Sequence, residues 1–337
     1  THQKVFFTNG GADANENAIR MARLFTGRRK VLSAYRSYHG NTGAAIVATG
    51  DQRRWPNEYA DGHAHFFGPY LYRSEFGSTT AEEESARALA HMRHVIELEG
   101  PPTIAAILLE SVVGAAGVLV PPPGYLRGVR ALCDEFGIVY IADEVMSGFG
   151  RTGLMFGFEH DLDASNPPDL ITVAKGINSG YVPIGGVIIS NPIADFFDDK
   201  FYPGGLTYSG HPLACGSISA NLEIIRDEGL VDNAAAIGSD VLGPGLHELA
   251  ARSDLVGDVR GIGLFWAIEL VRDKATKEPL ASYGASSPEM AQITRALTAA
   301  GLLTLPIGNR IQLSPPLPVT PTQTAQALHT LTMVLAP

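Results

Sequence analysis

An α/β fold built on a doubly wound, mainly parallel sheet is what this sequence predicts, on three observations. Short apolar runs at residues 104–109, 138–142 and 170–174 are hydrophobic throughout rather than alternating, as expected for strands covered on both faces. Helical patterns lie between the runs, so strand and helix follow one another along the chain. The chain has 337 residues, 45% of them hydrophobic, enough for roughly two domains with buried cores.

The elements follow in order. A first strand at residues 5–8 leads through a glycine pair to a helix at 13–25. A strand at 30–35 precedes a small-residue helix at 44–48. A polar, aromatic-rich loop at 51–80 leads to a charged helix at 81–97. Then come a strand at 104–109, a helix at 124–136, and strands at 138–142, 170–174 and 187–190. After about residue 225 the texture changes: a helix at 233–251, a strand at 264–270, a helix at 288–299, a strand at 310–314 and a helix at 321–335. The expected organisation is a large domain at 1–225 and a smaller α+β domain at 226–337.

Composition excludes several classes. There are 35 acidic and 25 basic side chains, a formal charge of −10, and no basic run. A nucleic-acid or anionic-membrane surface needs clustered Lys and Arg, so neither partner is expected. No apolar run approaches the roughly 20 residues that span a bilayer. Cys133 and Cys215 are the only cysteines, too few for a disulfide framework or a four-ligand zinc site. No His/Cys cluster has metal-ligand spacing, and the expected setting is the reducing cytoplasm. Thr1-His2-Gln3-Lys4 runs straight into Val5-Phe6-Phe7. That is no signal peptide, and the abrupt start suggests that upstream residues belong to the protein.

Three features carry chemistry. Lys175 is one of six lysines and the one that ends an apolar strand, Leu170-Ile171-Thr172-Val173-Ala174, before Gly176. Ligands of open α/β sheets bind beyond the carboxyl ends of strands. Apolar surroundings depress a lysine pKa, and a neutral amine can attack a carbonyl to form a Schiff base. A lysine paired with a surface carboxylate would occupy the same place. Asp143 also ends an apolar strand, one crossover away from Lys175. A carboxylate there needs a cation, and a protonated pyridine nitrogen, as in pyridoxal phosphate (PLP), is one; a helix-capping Asp is the alternative. Third, Thr8-Asn9-Gly10-Gly11-Ala12 joins a strand to a helix. Glycines and free helix N–H groups there suit a phosphate, although ordinary turns look alike. The stretch Gly148-Phe149-Gly150-Arg151-Thr152-Gly153 matches G-x-G-x-x-G. It does not open directly from a strand into an apolar helix, as a dinucleotide site requires, and reads as a loop.

With these pieces placed, the sequence resembles the class III (omega) PLP-dependent aminotransferases. The likeness is carried by Phe6-Phe7-Thr8-Asn9-Gly10-Gly11-Ala12-Asp13-Ala14-Asn15-Glu16, Tyr38-His39-Gly40, Glu110, Ile141-Ala142-Asp143-Glu144-Val145, Lys175-Gly176, Gly205-Leu206-Thr207-Tyr208-Ser209-Gly210-His211-Pro212 and Ser314-Pro315-Pro316-Leu317. The stretches around Glu110, Met146 and Ser179 are most similar to taurine–pyruvate aminotransferases. The resemblance implies a PLP-dependent transferase of fold type I, with a mainly parallel seven-stranded sheet between helices. It implies that Lys175 holds the cofactor and moves the proton, and that Asp143 pairs with the ring nitrogen. Tyr38 and Val145 would cover the two ring faces, and Gly10, Gly11 and Ala12 would bind the phosphate. His39, Glu110 and Met146 would line the cofactor, and Thr207 would reach the phosphate of a neighbouring subunit in a homodimer or dimer of dimers. The implied substrates are small molecules: a primary amine or omega-amino acid such as taurine or β-alanine, and a 2-oxo acid, pyruvate first. Arg310 is a candidate for the substrate's carboxylate or sulfonate, with a solvent-facing strand residue as the plain alternative. Relative to the family, the chain lacks an N-terminal part. Alternative readings are an aminomutase, epimerase or decarboxylase on the same fold, a nucleotide-dependent oxidoreductase using residues 148–153, or an inactive PLP-binding chain.

Overall fold

The structure is a computed structural model describing residues 1–58 and 60–336. The chain divides into two units. The first comprises Thr1–Gly114, Pro121–Phe149 and Phe156–Ile224; the second comprises Ala115–Val120, Gly150–Met155 and Ile225–Pro337. The two short pieces at 115–120 and 150–155 thus fall with the smaller unit, whereas the sequence expectation kept them with the larger domain.

In the first unit the elements are β1 (His2–Thr8), α1 (Gly11–Thr26), β2 (Lys30–Ala34), α2 (Gly43–Ala48), β3 (His63–Phe66), α3 (Ala81–Glu99), β4 (Ile104–Glu110), α4 (Tyr125–Phe136), β5 (Val139–Asp143), β6 (Leu170–Val173), β7 (Gly185–Ser190) and α5 (Asn191–Phe196). Helix α6 (Pro212–Asp227) carries the chain onward. Seven strands form one sheet in the order β1-β7-β6-β5-β4-β2-β3. Strands β3, β2, β4, β5 and β6 run parallel. Strand β7 is antiparallel to both β6 and β1. Residues 174–184 between β6 and β7 hold no α-helix, and a parallel return needs a crossover that usually contains one.

The central strands β4, β5 and β6 are buried at every position, which explains their unbroken apolar sequence. Helix α1 lays Ala14, Ala18, Ile19, Met21 and Ala22 into a core shared with Val31, Leu108, Ile141, Leu170 and Val187. Its small alanines let the helix lie close to the sheet. It ends on Gly27, whose left-handed φ of 69° suits a helix C-cap.

The second unit contains α7 (Leu230–Ile237), α8 (Gly243–Arg252), β8 (Val256–Ile262), β9 (Phe265–Asp273), β10 (Glu278–Pro279), α9 (Pro288–Ala299), β11 (Leu305–Ile307), β12 (Arg310–Leu313) and α10 (Pro321–Leu335). Strand β9 pairs antiparallel with β8, β10 and β12, and β12 with β11. Leu246, Leu249, Trp266, Ile268, Met290, Leu297, Ile311 and Leu331 form its core. Helix α9 starts on Ser287, which accepts from Met290 N–H, with Pro288 in its first turn. Helix α10 starts on a Thr320/Gln323 capping box.

Candidate active site

Three neighbouring parallel strands bring their carboxyl ends together. Glu110, the last residue of β4, is in register with Asp143, the last of β5, and Asp143 is in register with Thr172 of β6. Lys175 lies two residues beyond the end of β6. This end of a parallel sheet is where backbone amides and helix starts converge.

Asp143 is only 3% exposed. Its Oδ2 accepts from Asn15 Nδ2 at 2.8 Å and lies 2.8 Å from His39 Nδ1; its Oδ1 accepts from Val145 N–H at 3.1 Å. Asn15 is itself clamped. Its Nδ2 also donates to His39 O (2.8 Å), and its Oδ1 accepts from Thr172 Oγ1 (2.8 Å). The His39 amide donates to Thr49 Oγ1 at 3.0 Å. Gly40 next to it has φ +129°, and a Cβ there would lie 2.5 Å from Ala12 Cβ. Only glycine lets the His39 loop seat against the first turn of α1.

Glu110 is buried beside this cluster. It accepts from Tyr38 N–H (2.9 Å) and Gly114 N–H (2.8 Å). Burial pushes its carboxyl up to about 7; Asp143 adds to the rise, while His39 and the two amides oppose it.

Lys175 sits at φ +41°, a left-handed conformation that costs a non-glycine residue about 1–3 kcal/mol. Lys175 is an exposed residue. Even so, desolvation by the protein packed around its amine lowers its pKa; Asp143 and Glu110 pull the other way, and Arg53 lowers it further. The glycine turn lies against the same space. A Cβ on Gly11 would be 3.0 Å from both methyl carbons of Val145 and 3.6 Å from Ala174 Cβ, whereas one on Gly10 would meet nothing within 4 Å. The first bond of α1 runs from Ala14 N–H to Gly10 O (3.0 Å), so the amides of Gly11, Ala12 and Asp13 lie outside the helical ladder.

Glu144 turns away from this cluster. Its buried carboxylate accepts from Ser111 Oγ (2.5 Å), Ser147 Oγ (2.6 Å), Gly157 N–H (2.8 Å) and Phe158 N–H (2.9 Å). It organises the loop after β5, in which Val145 and Met146 are half-buried. Residues 148–153 form turns and no helix opens from them.

The structure therefore brings together Gly11, Tyr38, His39, Glu110, Asp143, Val145 and Lys175 from the sequence-based set, with Gly10 and Ala12 in the same turn. Thr207 lies on an exposed segment of the chain. Arg310 belongs to the second unit and is not a solvent-facing strand residue. It is 8% exposed, its Nε donates to Ile307 O (3.3 Å), and a Cβ on Gly117 would lie 2.4 Å from its Cδ. Sequence reasoning passed over Asn15, Thr172 and Arg53. Asn15 had a signal: a polar residue on the alanine-lined face of α1. No His/Cys/Asp/Glu group among the described residues could hold a metal.

A family model, Aminotransferase class-III, matches residues 1–335. The chain belongs to the class III aminotransferases. It is 34% identical over 332 residues to the putrescine–pyruvate aminotransferase of Pseudomonas aeruginosa, covering 95% of this chain and 70% of that protein. It is 36% identical over 292 residues to the taurine–pyruvate aminotransferase of Bilophila wadsworthia, covering 82% of this chain and 63% of the relative. Among solved structures it is similar to the taurine:2-oxoglutarate aminotransferase of Bifidobacterium kashiwanohense in complex with PLP and glutamate. There the TM-score is 0.95 at 43% identity, over 99% of this chain and 75% of that one. The chain thus spans about two thirds to three quarters of the length of these class III relatives.

Class III aminotransferases bind PLP, and the residues present fit it. Asp143 is a buried carboxylate whose hydrogen bonds come from an amide side chain, a backbone N–H and an imidazole, which leaves it suited to a cationic ring nitrogen. The open space at Gly10 and the free amides of the first α1 turn suit a phosphate. Lys175 offers an amine with a lowered pKa.

Proposed function

We propose that this class III aminotransferase moves the amino group of an omega-amino acid or related primary amine, taurine or β-alanine among them, to a 2-oxo acid, with pyruvate as the first candidate. The observation that carries the reading is the placement, near the carboxyl ends of adjacent strands, of the Lys175 amine, whose pKa is lowered, and the buried Asp143 carboxylate. PLP supplies an aldehyde and an electron-accepting ring. Lys175 Nζ holds the cofactor, then acts as neutral base and returning acid at the donor's amine-bearing carbon. Asp143 fixes a negative charge where the ring nitrogen must stay protonated. Its orientation comes from Asn15 and His39. Gly10, Gly11 and Ala12 bind the phosphate through backbone N–H groups. Tyr38 and Val145 confine the ring between them, and Glu110 and Met146 complete the wall.

Two further assignments belong to this reading. Thr207 serves the phosphate of a neighbouring subunit, so the active form is a homodimer or a dimer of dimers. Exposed apolar side chains beside Thr207 support this: Phe201, Tyr208 and Leu213 are 90%, 68% and 66% exposed, more apolar surface than one segment of a lone chain usually shows. The enzyme acts in the cytoplasm; among the described residues no helix is long and apolar enough to cross a membrane.

The test is a panel of taurine, β-alanine, putrescine and a neutral amine against pyruvate and 2-oxoglutarate. Amino-group transfer from an acidic omega-amine, stoichiometric with consumption of the 2-oxo acid, is expected. Conversion of the amine without consumption of a 2-oxo acid would instead identify an epimerase, aminomutase or decarboxylase.

A further inference from the structure

We propose that Arg53 reads the acidic group of the amine donor, a sulfonate or a carboxylate, while the donor's amine is at Lys175. The inference deepens the proposed function and rests on it.

Arg53 lies in a short 3-10 helix, Gln52–Asn57, that starts on Asp51. Two contacts fix its head group. The guanidinium carbon stands 3.4 Å from the centroid of the Tyr38 ring, a stacked cation–π contact. On its edge, Nε donates to both oxygens of Asp51 (3.1 and 2.9 Å), and Nη2 also bonds Asp51 Oδ2. Asp51 is in turn held by the Arg53 backbone N–H at 2.9 Å. The side chain is therefore oriented before any substrate arrives, which spares the ordering of a long side chain on binding.

Its remaining donors point to a ligand. A guanidinium has five N–H groups in a planar fork. Asp51 takes the Nε side, and among the described residues Nη1 has no hydrogen-bond partner. The end edge, Nη1 with the second Nη2 hydrogen, stays free to bind a two-oxygen acceptor side by side. The side chain remains 46% exposed although it lies over Tyr38 and pairs with Asp51.

The place is right for an omega-amino acid. Tyr38 is joined to the site through Glu110 and the next residue, His39, bonds Asp143. Arg53 also counts among the charged neighbours felt by the Lys175 amine. A donor with an amine at one end and an acid at the other would span from Lys175 to Arg53. The cofactor phosphate has its own seat at the start of α1. Arg310, the residue that the sequence suggested for this task, is packed on Gly117 with its Nε on a backbone carbonyl.

The test uses the PLP-loaded enzyme and ethanesulfonate, an acid with no amine to react. Titration calorimetry on the unaltered enzyme, Arg53→Gln and Arg53→Lys is expected to show roughly tenfold or greater weakening in Arg53→Gln, with Arg53→Lys between, because a charge-assisted fork is lost. The ratio of kcat/KM for taurine to that for propylamine should fall by a similar factor in Arg53→Gln. Equal ethanesulfonate affinity in the unaltered enzyme and Arg53→Gln overturns the proposal, as does an unaltered enzyme that binds no ethanesulfonate. Loss of PLP from Arg53→Gln with ethanesulfonate affinity unchanged would make Arg53 a cofactor ligand, and also overturns it. If no donor is turned over by the unaltered enzyme, the proposed function fails, but ethanesulfonate binding still decides the role of Arg53.

Discussion

Glu110 places a carboxyl of raised pKa next to the buried carboxyl group of Asp143. The folded protein keeps a proton on Glu110 to about pH 7, whereas the unfolded chain releases it in the ordinary carboxyl range. Between those values the folded state binds more protons, so Glu110 makes stability fall as pH rises. Glu110→Gln cannot titrate and should lack this slope. Denaturant midpoints of both proteins at pH 5 and pH 8 should show the unaltered enzyme losing ground to the variant at the higher pH. A constant difference at the two pH values would mean that Glu110 is ionised throughout. The residue scale also shows what could be read from the sequence. Lys175 and Asp143 were legible because an ionisable residue at the end of an all-apolar strand is costly without a purpose. Asn15 and Thr172 were not, because their roles depend on contacts between segments far apart in the chain, and Arg53 was not, because nothing in its own segment shows that it lies over the Tyr38 ring. Asn15 meets Asp143 across 128 positions; its polarity on the alanine-lined face of α1 marks it as unusual, but not which residue it meets.

At the scale of elements, the loop after β5 depends on Glu144. Four donors converge on its carboxylate: two serine hydroxyls and two backbone amides. Burial raises its pKa, and these hydrogen bonds offset that. Glu144→Leu would strand all four donors, and each buried unsatisfied donor costs about 1–3 kcal/mol. A loss of about 3 kcal/mol or more in urea unfolding is expected; a loss below about 1 kcal/mol would show that the loop holds itself. The same scale explains which elements were legible. Helices α9 and α10 begin where Ser287-Pro288 and Thr320-Pro321 announce a cap and a proline in the first turn. Strand β3 was read as loop because His63-Ala64-His65-Phe66 has no apolar run. Strand β8 was missed because Gly257, Asp258, Arg260 and Gly261 interrupt its pattern. The reversed direction of β7 leaves no mark in composition. The helix expected at 233–251 is broken: α7 ends at Ile237, a π-turn spans Gly238–Leu242, and α8 begins at Gly243 ahead of Pro244. A proline lacks the N–H that a regular helix needs, and the wider turn takes it in. At Gly238 the backbone passes so close that a Cβ would lie 2.2 Å from Gly263 O.

For the molecule as a whole, the alternation of strands and helices identified the α/β class, and the seven-stranded sheet places the carboxyl ends of β4, β5 and β6 where the chemistry is expected. The second unit was harder to read because it recruits residues 115–120 and 150–155 from within the first, a partition that no change in composition marks. Everything proposed for the enzyme depends on one lysine out of six becoming attached to the cofactor. The direct measurement is borohydride reduction of the PLP-loaded protein followed by peptide mass mapping. The cofactor's mass should be found on the peptide containing Lys175, and Lys175→Ala should carry none there and show no transfer activity. Label on Lys4, Lys30, Lys200, Lys274 or Lys277 instead, or transfer activity retained by Lys175→Ala, would contradict the active site described above.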